Sequence, residues 1–393
     1  AEMFTLQRYL GMDTLRDLDI YNFDAWAGNF GEVTTGFEVT PTGSGYRVNS
    51  RFNKFVNLPE LQNMFRSFAD VINAEDVNLP VPKIKGGKPT AVSAPASPEL
   101  ENYVDDLVER VERIKRGDVD PTEDNMLKVT TDGRKAALDM RLIDRTLPDD
   151  PNSKVNRMVE NVLKIYKRTN DKKLTQLIFC DFSRPEKGKF NVYEDVKKKL
   201  VEGGIPEKEI AFIHDAKKDA DKLKLFEKMN KGEVRVLMGS TWKMGEGMNA
   251  QKKLVALHDL DAPWRPADIE QRLGRIQRQG NENPEIEVYR YVTKGSFDAY
   301  MWQTLESKAR FIAQIIKGEA GMRSAEDVEA LTLTYAEVKA KGRQEAAKIL
   351  LEINSRYGEY NPNTSFFEDF DIDLDFIKDI KIPELDIMLE DLE

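Results

Sequence analysis

The stretch from Met238 to Gly280 reads M-G-S-T-W-K-M-G-E-G-M-N-A-Q, then K-K-L-V-A-L-H-D-L, then D-A-P-W-R-P-A-D-I-E-Q-R-L-G-R-I-Q-R-Q-G. It follows an apolar segment that starts at Val234, crosses a polar loop and enters a second apolar run from Leu254 to Leu260. A short apolar run bounded by turn residues is typical of a buried strand. The last part has the spacing of a helix. We therefore predict strand, loop, strand and helix in this order.

Two glycines, Gly245 and Gly247, bracket the carboxylate of Glu246 in the polar loop. Because glycine has no Cβ, a turn of this composition can bring backbone N–H groups close to a phosphate. Glycine in an ordinary loop is the alternative, and the loop sequence by itself does not separate the two.

The predicted helix carries Gln271, Arg275 and Arg278 at spacings of four and three, so that the three side chains project from one face. Planar hydrogen-bonding side chains on one stripe are costly to bury as core, but they suit the binding of an anion that gains charge. The alternative is an exposed helix on which the arginines pair with Asp268 and Glu270.

The loop and the helix resemble motifs V and VI of superfamily 2 helicases, and most closely those of the Swi/Snf-type branch of DNA-dependent ATPases. The motif V pattern S-T-x-x-G-G-x-G-x-N runs from Ser240 to Asn249, with Met244 in place of the first glycine. The step D-P-x-W-N-P appears as D-A-P-W-R-P from Asp261, and Q-x-x-G-R-x-x-R is intact from Gln271. The order and spacing of the motifs carry the resemblance.

Two segments of the sequence are similar to the helicase part of very large phage and mobile-element proteins. They read L-D-A-P-W-R-P-A-D-I-E-Q-R-L-G-R-I-Q-R-Q-G-N and, after it, Y-R-Y-V-T-K-G-S-F-D-A-Y-M-W-Q. In that group the helicase often accompanies an adenine methyltransferase and is associated with DNA modification or antirestriction. An adenine methyltransferase domain or partner is therefore implied by the resemblance, although the sequence contains no N-P-P-Y motif.

The resemblance also implies roles for single residues. Arg278 would be the arginine finger, and Arg275 and Gln271 would act at the same phosphates or the attacking water. Further nucleotide contacts are assigned to Gly245, Glu246, Gly247 and Asp261. Contacts to the duplex DNA backbone are assigned to Ser240, Thr241, Lys243 and Ser183, with capping of the next turn as the alternative for Ser240 or Thr241. No residue is assigned to a metal.

The sequence contains no G-x-x-x-x-G-K-[ST] phosphate loop and no D-E-x-H-type magnesium motif. Its opening, A-E-M-F-T-L-Q-R-Y-L, resembles the end of the first RecA-like lobe of the family. We therefore expect ATP and Mg²⁺ to bind only together with the first lobe of the same parent protein. The chain by itself is expected to be inactive.

Strand and helix patterns alternate between Leu174 and Phe311, which predicts an α/β fold with a RecA-like parallel sheet and helices on both faces. A mainly helical region with a β-hairpin between Phe30 and Phe55 precedes it. We divide the chain into residues 1–80, the end of the first lobe with its insertion; 81–150, a connector with a long coupling helix; 151–320, the second lobe; 321–365, a helical extension; and 366–393, an acidic tail expected to be disordered.

The net charge of −10 is distributed unevenly along the 393 residues. Residues 366–393 carry about −9 and residues 151–320 roughly +8, which is compatible with binding a phosphate backbone. A solvated lysine surface is the commoner meaning of such a surplus. A non-catalytic nucleic-acid-binding or scaffold module with an acidic regulatory tail is therefore the alternative function, and half of an RNA helicase is a more remote one.

The few sulfur and imidazole groups limit other chemistry. One cysteine, Cys180, and two histidines exclude a disulfide framework and a cysteine/histidine metal cluster. We expect Cys180, His214 and His258 to be structural, and Trp264 to lie in a core. No apolar run approaches the roughly twenty residues that cross a bilayer, and no signal peptide is evident, so we expect a cytoplasmic protein without a membrane contact.

Overall fold

In the computed structural model, the described residues are 2–39, 46–70, 77, 79–120, 122–183, 185, 188–244, 248–313 and 324–326. Three predicted features lie outside the described residues: the loop of Gly245, Glu246 and Gly247, nearly all of the helical extension 321–365, and the acidic tail 366–393.

The described helices are α1 (Glu2–Leu10), α2 (Met12–Asp17), α3 (Phe23–Phe30), α4 (Leu58–Arg66), α5 (Pro98–Arg116), α6 (Met126–Leu138), α7 (Lys154–Arg168), α8 (Val192–Glu202), α9 (Asp219–Lys231), α10 (Thr241–Met244), α11 (Pro266–Ile276) and α12 (Phe297–Ala313). The described strands are β1 (Gly31–Val39), β2 (Tyr46–Val56), β3 (Lys83–Ile84), β4 (Thr90–Ala94), β5 (Thr175–Phe179), β6 (Ile210–Phe212), β7 (Val236–Gly239), β8 (Leu254–Asp259), β9 (Glu285–Thr293) and β10 (Ser324–Glu326). None of these helices is both long and apolar enough to cross a membrane.

The chain divides into two compact units, one built from the described residues up to Pro80 together with those from Met301 onward, and one built from Val81 to Tyr300. The first unit packs around Trp26, whose side chain is fully buried. The indole N–H of Trp26 donates a hydrogen bond of 2.6 Å to Gln7 Oε1. The rings of Phe4 and Phe30 each lie 5.6 Å from the indole, a spacing at which aromatic pairs stabilise a core.

The predicted hairpin of the first unit is confirmed. Strands β1 and β2 pair antiparallel, and β10 adds a third antiparallel strand to β2. The helical extension predicted for residues 321–365 is wrong at residues 324–326, because Ala325 pairs with Phe55 in this sheet. An open strand edge offers unpaired N–H and C=O groups that a third strand satisfies.

The second unit is built on a parallel sheet of seven strands in the order β3, β9, β8, β5, β7, β6, with β4 also paired to β9. All five strands predicted between Leu174 and Phe311 are present. Along β5, Leu177 packs into one buried cluster with α9 and α11, whereas Ile178 packs into another with α7 and α8. Neighbouring side chains therefore face opposite layers of helices, as expected for parallel strands buried on both faces. The predicted RecA-like α/β fold is confirmed.

The segment that follows Val81 differs from the extended connector that the sequence predicts. It is extended, but β3 and β4 within it pair parallel with β9 and continue the sheet. The short apolar pieces P-V-P-K-I and A-V-S-A are too brief to stand out as strands. They pair because β9 would otherwise leave an open edge on that side.

Two helices of the second unit precede the predicted lobe. The long helix α5 ends at Gly117, whose φ of 75° lies in the left-handed region that favours glycine. Leu107 and Val111 of α5 pack with Val129 and Ala137 of α6 in one buried cluster. These contacts hold α6 in a fixed position within the second unit.

His258 lies fully buried in β8, where Nδ1 is 2.8 Å from the Tyr291 hydroxyl and Nε2 is 3.0 Å from Gln176 Oε1. The structural role that we predicted for it is confirmed. Burial lowers the pKa of His258 to about 3, so the folded chain keeps the ring neutral where the unfolded chain, with an ordinary pKa near 6.5, binds a proton.

This difference predicts a loss of stability as the pH falls below 6.5, because only the unfolded state takes up the proton. Between pH 7 and pH 5 the contribution of His258 to the free energy of unfolding should fall by about 2 kcal/mol. Urea denaturation at both pH values measures it, with His258→Gln as the reference. Equal losses in the wild-type chain and in His258→Gln would contradict the prediction.

Candidate functional site

Polar residues that follow three parallel strands meet at the carboxyl edge of the sheet in the second unit. Asp181 comes after β5, Thr241 after β7, and Asp261 after β8, with Asp259 as the last residue of β8. Parallel strands end at the same edge, and ligands of open α/β sheets bind beyond it. This edge is therefore the candidate site of the second unit.

Arg272 of α11 contacts these loops inside the protein, since its side chain is fully buried. Its guanidinium donates to Thr241 Oγ1 at 2.8 Å, Asp259 Oδ1 at 2.9 Å, Asp181 Oδ2 at 2.8 Å, and the Asp261 carbonyl and carboxylate at 2.8 and 3.3 Å. We call these five residues the Arg272 cluster. It connects α11 to the ends of three strands.

The two aspartates of the loops add a second set of bonds. Asp181 accepts hydrogen bonds from the backbone N–H and the hydroxyl of Thr241, at 2.7 and 2.9 Å. Asp261 Oδ2 accepts from the backbone N–H groups of Asp181 and Phe182, at 2.6 and 3.0 Å. Charge-assisted bonds of this kind are stronger than neutral ones. The three loops are thereby fixed to one another as well as to Arg272.

The Arg272 cluster has more negative than positive groups, because three carboxylates surround one guanidinium. Burial, reinforced by the charge of Asp181, raises the pKa of Asp261 above its ordinary value. Burial also opposes the charge of Arg272, but the three carboxylates outweigh it and raise the pKa of Arg272. Arg272 therefore keeps its charge.

No role was predicted from the sequence for Arg272, which lies inside the motif Q-R-L-G-R. A signal for it exists: Asp268, Arg272 and Ile276 recur every four residues and form the buried face of α11. An arginine on the inner face of a helix that follows three strand-end aspartates needs those carboxylates as partners.

The prediction that one helix face carries Gln271, Arg275 and Arg278 is wrong for Arg278. Gln271 is exposed and Arg275 half-buried on α11, but the helix ends at Ile276 and Arg278 lies in the turn that follows it. Arg278 Nη1 donates to the carbonyl oxygen of Met248 at 3.0 Å. Arg278 is therefore attached to the chain that follows the predicted glycine loop, rather than aligned by helix geometry alone.

In the alternative interpretation, the arginines of the predicted face pair with Asp268 and Glu270. Asp268 has a different partner. Asp268 binds Arg265 at 2.8 Å, one turn earlier. Within the described part of the chain, no carboxylate lies at salt-bridge distance from Arg278.

The residues assigned to DNA contacts occupy different environments. Lys243 is exposed, whereas the Thr241 hydroxyl is buried and already bonded within the Arg272 cluster. Ser240 is 3% exposed, and its hydroxyl has no hydrogen-bond partner among the described residues. Ser183 has a φ of 59°, and its Oγ accepts from the N–H of Val192 at the start of α8. Asp261, assigned to the nucleotide, makes its hydrogen bonds inside the protein.

The prediction of a core position for Trp264 is wrong, because its side chain is 52% exposed. The short loop from β8 to α11 leaves one part of the indole in solvent while Arg134 covers another part, 4.2 Å from the ring centroid. By contrast, Cys180 is fully buried, and burial raises the pKa of its thiol well above the ordinary value, as expected for an inert cysteine.

Two family models match the chain: "Helicase conserved C-terminal domain" over residues 154–280 and "Probable helicase domain" over residues 1–72. The chain is 40% identical over 73 residues to "Defense against restriction protein B" of Escherichia phage P1. It is 31% identical over 86 residues to "Uncharacterized ATP-dependent helicase YqhH" of Bacillus subtilis (strain 168).

The two alignments cover 19% and 22% of this chain but 3% and 15% of the relatives, so the chain spans a small part of their length. Among solved structures, the C-terminal part of the Fun30 ATPase domain is similar to the chain with a TM-score of 0.44 and 15% identity. That match covers 57% of this chain and 89% of the Fun30 chain.

Proposed function

We propose, from the match of residues 154–280 to the helicase conserved C-terminal domain, that the chain is half of an ATP-dependent DNA translocase or helicase-like motor of superfamily 2. In this proposal the carboxyl edge of its sheet completes a site whose other half is a first RecA-like lobe. Closure of the two lobes on ATP then moves the protein along the duplex backbone.

The position of Arg278 is the observation that carries the proposal. Its bond to the Met248 carbonyl holds the guanidinium in place, and because a guanidinium has five N–H donors, others remain for an anion. Arg272 is paired with buried carboxylates, whereas Arg278 has no carboxylate at salt-bridge distance among the described residues. An arginine held without such a pair suits a phosphate that gains negative charge in the transition state.

The donors at this edge fit the phosphates of ATP, since Arg275 and Gln271 add a second guanidinium and an amide. When bound, ATP supplies the phosphoanhydride bond whose cleavage drives the motor. We assign binding of the γ-phosphate oxygens to Arg278, binding of the same phosphates or support of Arg278 to Arg275, and orientation of the attacking water to Gln271. Since the sequence has no phosphate loop, the ATP-holding residues and the Mg²⁺ ligands belong to the first lobe.

On the DNA side, we assign contacts with backbone phosphates to Lys243 and Ser183, and to Ser240 and Thr241 through the loop that they begin. Thr241 belongs to the Arg272 cluster, and Asp181 of the cluster precedes the Phe182–Ser183 loop. The cluster thus links the DNA-contacting loops to α11, the helix that leads to Arg278. A shift of α11 on phosphate binding is passed to the DNA side through these bonds.

A first lobe as partner is supported by the surface of α1. Leu6, Tyr9 and Leu10 recur on one side of this helix and are 47%, 83% and 61% exposed. Large apolar side chains that are exposed together mark interaction surfaces. The relative described as a defence against restriction supports a role of the parent protein in DNA modification or antirestriction, where an adenine methyltransferase is the proposed further partner.

The purified chain alone is expected to hydrolyse ATP at no more than the rate of a buffer control, because it lacks a phosphate loop and magnesium carboxylates. A phosphate-release assay with Mg²⁺, with and without duplex DNA, measures this. Robust DNA-stimulated turnover by the chain alone would contradict the proposed division of the site.

The alternative, a non-catalytic nucleic-acid-binding module, is separated from the motor by a second measurement. The chain joined to a lobe that carries a phosphate loop should hydrolyse ATP, and duplex DNA should stimulate it more than RNA does. Salt-dependent DNA binding without any turnover of the joined protein would favour the module.

A further inference from the structure

Arg134 lies on α6, outside the matched segment 154–280, yet it contacts two loops of the candidate site. Its side chain is 5% exposed. The guanidinium carbon is 4.4 Å from the ring centroid of Phe182 and 4.2 Å from that of Trp264. Nη2 also donates a hydrogen bond of 2.5 Å to the carbonyl oxygen of Ala262. One cation therefore holds the residues that follow β5 and those that follow β8.

The charge of Arg134 is not balanced by an ion pair. In the part of the chain that the structure describes, no carboxylate lies at salt-bridge distance, and Nη1 is buried without a hydrogen-bond partner. Burial lowers the pKa of Arg134, and the more distant charge of Asp261 only opposes this. A buried cation without a carboxylate partner costs free energy that an apolar side chain of similar length would avoid. Simple filling of space does not account for an arginine here.

The two aromatic rings explain an arginine at this position better than the filling of space does. A cation over a ring face is attracted by the ring quadrupole, and the attraction grows when the cation is removed from water. The planar guanidinium can contact both rings and donate to a carbonyl at once, which a lysine ammonium cannot match in geometry. Arg134 thus fixes the spacing of Phe182, Ala262 and Trp264.

The base of this side chain is itself held in place. A Cβ on the neighbouring Gly133 would lie 2.5 Å from the ring of Phe297, so the backbone of α6 approaches Phe297 as closely as only glycine permits. One turn later, the Thr293 hydroxyl donates to the carbonyl oxygen of Ala137 at 2.9 Å. The guanidinium therefore projects from a fixed helix, which lets it define the position of the loops rather than follow them.

We propose that Arg134 is a positioning residue of the motor site, which holds the Phe182–Ser183 loop and the Ala262–Trp264 loop at a fixed spacing. The first loop leads to the residues assigned to DNA, and the second leads into α11 and the arginines assigned to ATP. Arg134 contacts both loops from a helix outside the matched segment 154–280. The roles of the two loops rest on the proposed function, whereas their spacing does not.

The spacing is tested on the full chain by hydrogen exchange of the amides of residues 181–183 and of residues 262, 264 and 265. Arg134→Gln should raise the exchange rates of both loops by about 2- to 30-fold, the range that corresponds to loss of a partly desolvated cation–π contact. Acrylamide quenching of Trp264, identified by difference with Trp264→Phe, should rise in parallel. Unchanged exchange and quenching in Arg134→Gln would overturn the proposal.

Arg141→Gln is the matched control, because Arg141 also lies over an aromatic ring, 4.4 Å from the centroid of Phe190, and pairs with Asp195. It should lower the stability of the second unit without raising exchange in the two loops. If Arg141→Gln raises loop exchange as much as Arg134→Gln does, the effect is a general loosening and the positioning role fails.

Arg134→Lys separates position from charge. The lysine keeps the positive charge but lacks the planar fork, so we expect it to leave the loops nearly as exposed to exchange as Arg134→Gln does. Full protection by lysine would overturn the proposal in favour of a purely electrostatic role.

A DNA measurement then connects the spacing with function. Duplex affinity at fixed salt should weaken by about 2- to 30-fold in Arg134→Gln and Arg134→Lys alike, as expected when loop opening competes with binding. Unchanged affinity in a chain whose loops have opened would overturn the link to DNA. If the wild-type chain binds no duplex, the proposed function fails, and loop exchange still decides the role of Arg134.

Discussion

Replacing Arg278 with alanine, in a protein that joins this chain to a lobe carrying a phosphate loop, should reduce DNA-stimulated ATP turnover by about 10³- to 10⁵-fold. The arginine is attached to the Met248 carbonyl at 3.0 Å and has no carboxylate at salt-bridge distance among the described residues, so its remaining donors can reach a phosphate. DNA affinity should stay close to that of the unchanged protein. Steady-state turnover and duplex binding, measured on the same preparation, check both parts.

Two comparisons make the Arg278 result specific. Arg278→Lys keeps the charge but not the fork of donors, so it should recover only part of the lost turnover. Arg116→Ala removes an arginine whose side chain is 62% exposed, outside the matched segment, and should leave turnover within about twofold. An equal loss in Arg116→Ala would undo the assignment of Arg278.

Replacing Arg272 with glutamine should lower the free energy of unfolding by about 3–5 kcal/mol, because it leaves the buried carboxylates of the Arg272 cluster without their shared cation. Glutamine can replace only part of the five hydrogen bonds that the guanidinium donates. Urea denaturation of the chain, followed by a signal from the second unit, measures the change.

Arg265→Gln is the control for this second effect, since Arg265 begins the same helix and binds Asp268 with a side chain that is 72% exposed. Because the cation of this single pair lies in solvent, although Asp268 is buried, Arg265→Gln should cost clearly less than Arg272→Gln, which removes the shared partner of three carboxylates. Losses of similar size in Arg265→Gln and Arg272→Gln would show that the buried cluster does not stabilise the lobe as its geometry indicates.

Most of the second unit could be predicted from the sequence because its signals are local. The strands Val236–Gly239 and Leu254–Asp259 are buried at every residue, and most of their residues are apolar, as expected for parallel strands covered on both faces. The helix α11 has its proline at the first helical positions and its periodic apolar residues, so its type and its start were predictable. Motif spacing then identified the edge of the sheet at which the site lies.

The errors of prediction have a common physical cause. β3 and β4 form because β9 offers an open edge. No local pattern in P-V-P-K-I or A-V-S-A indicates that these segments will pair with it. Trp264 is half exposed because a short loop and Arg134, an arginine far away in the sequence, decide its surroundings. Each of these positions depends on a partner that is distant in the chain.

The sequence by itself therefore determined the α/β architecture, the order of the strands along the chain, and the segment of motifs that bears the candidate site. The folded structure was needed to show which arginine of α11 is fully buried. Arg272 and Arg275 are chemically identical and three residues apart, but only Arg272 reaches the carboxylates at the ends of three strands. Periodicity fixes a helix and its faces, whereas the partner that makes a buried charge stable is supplied by strands brought together in folding.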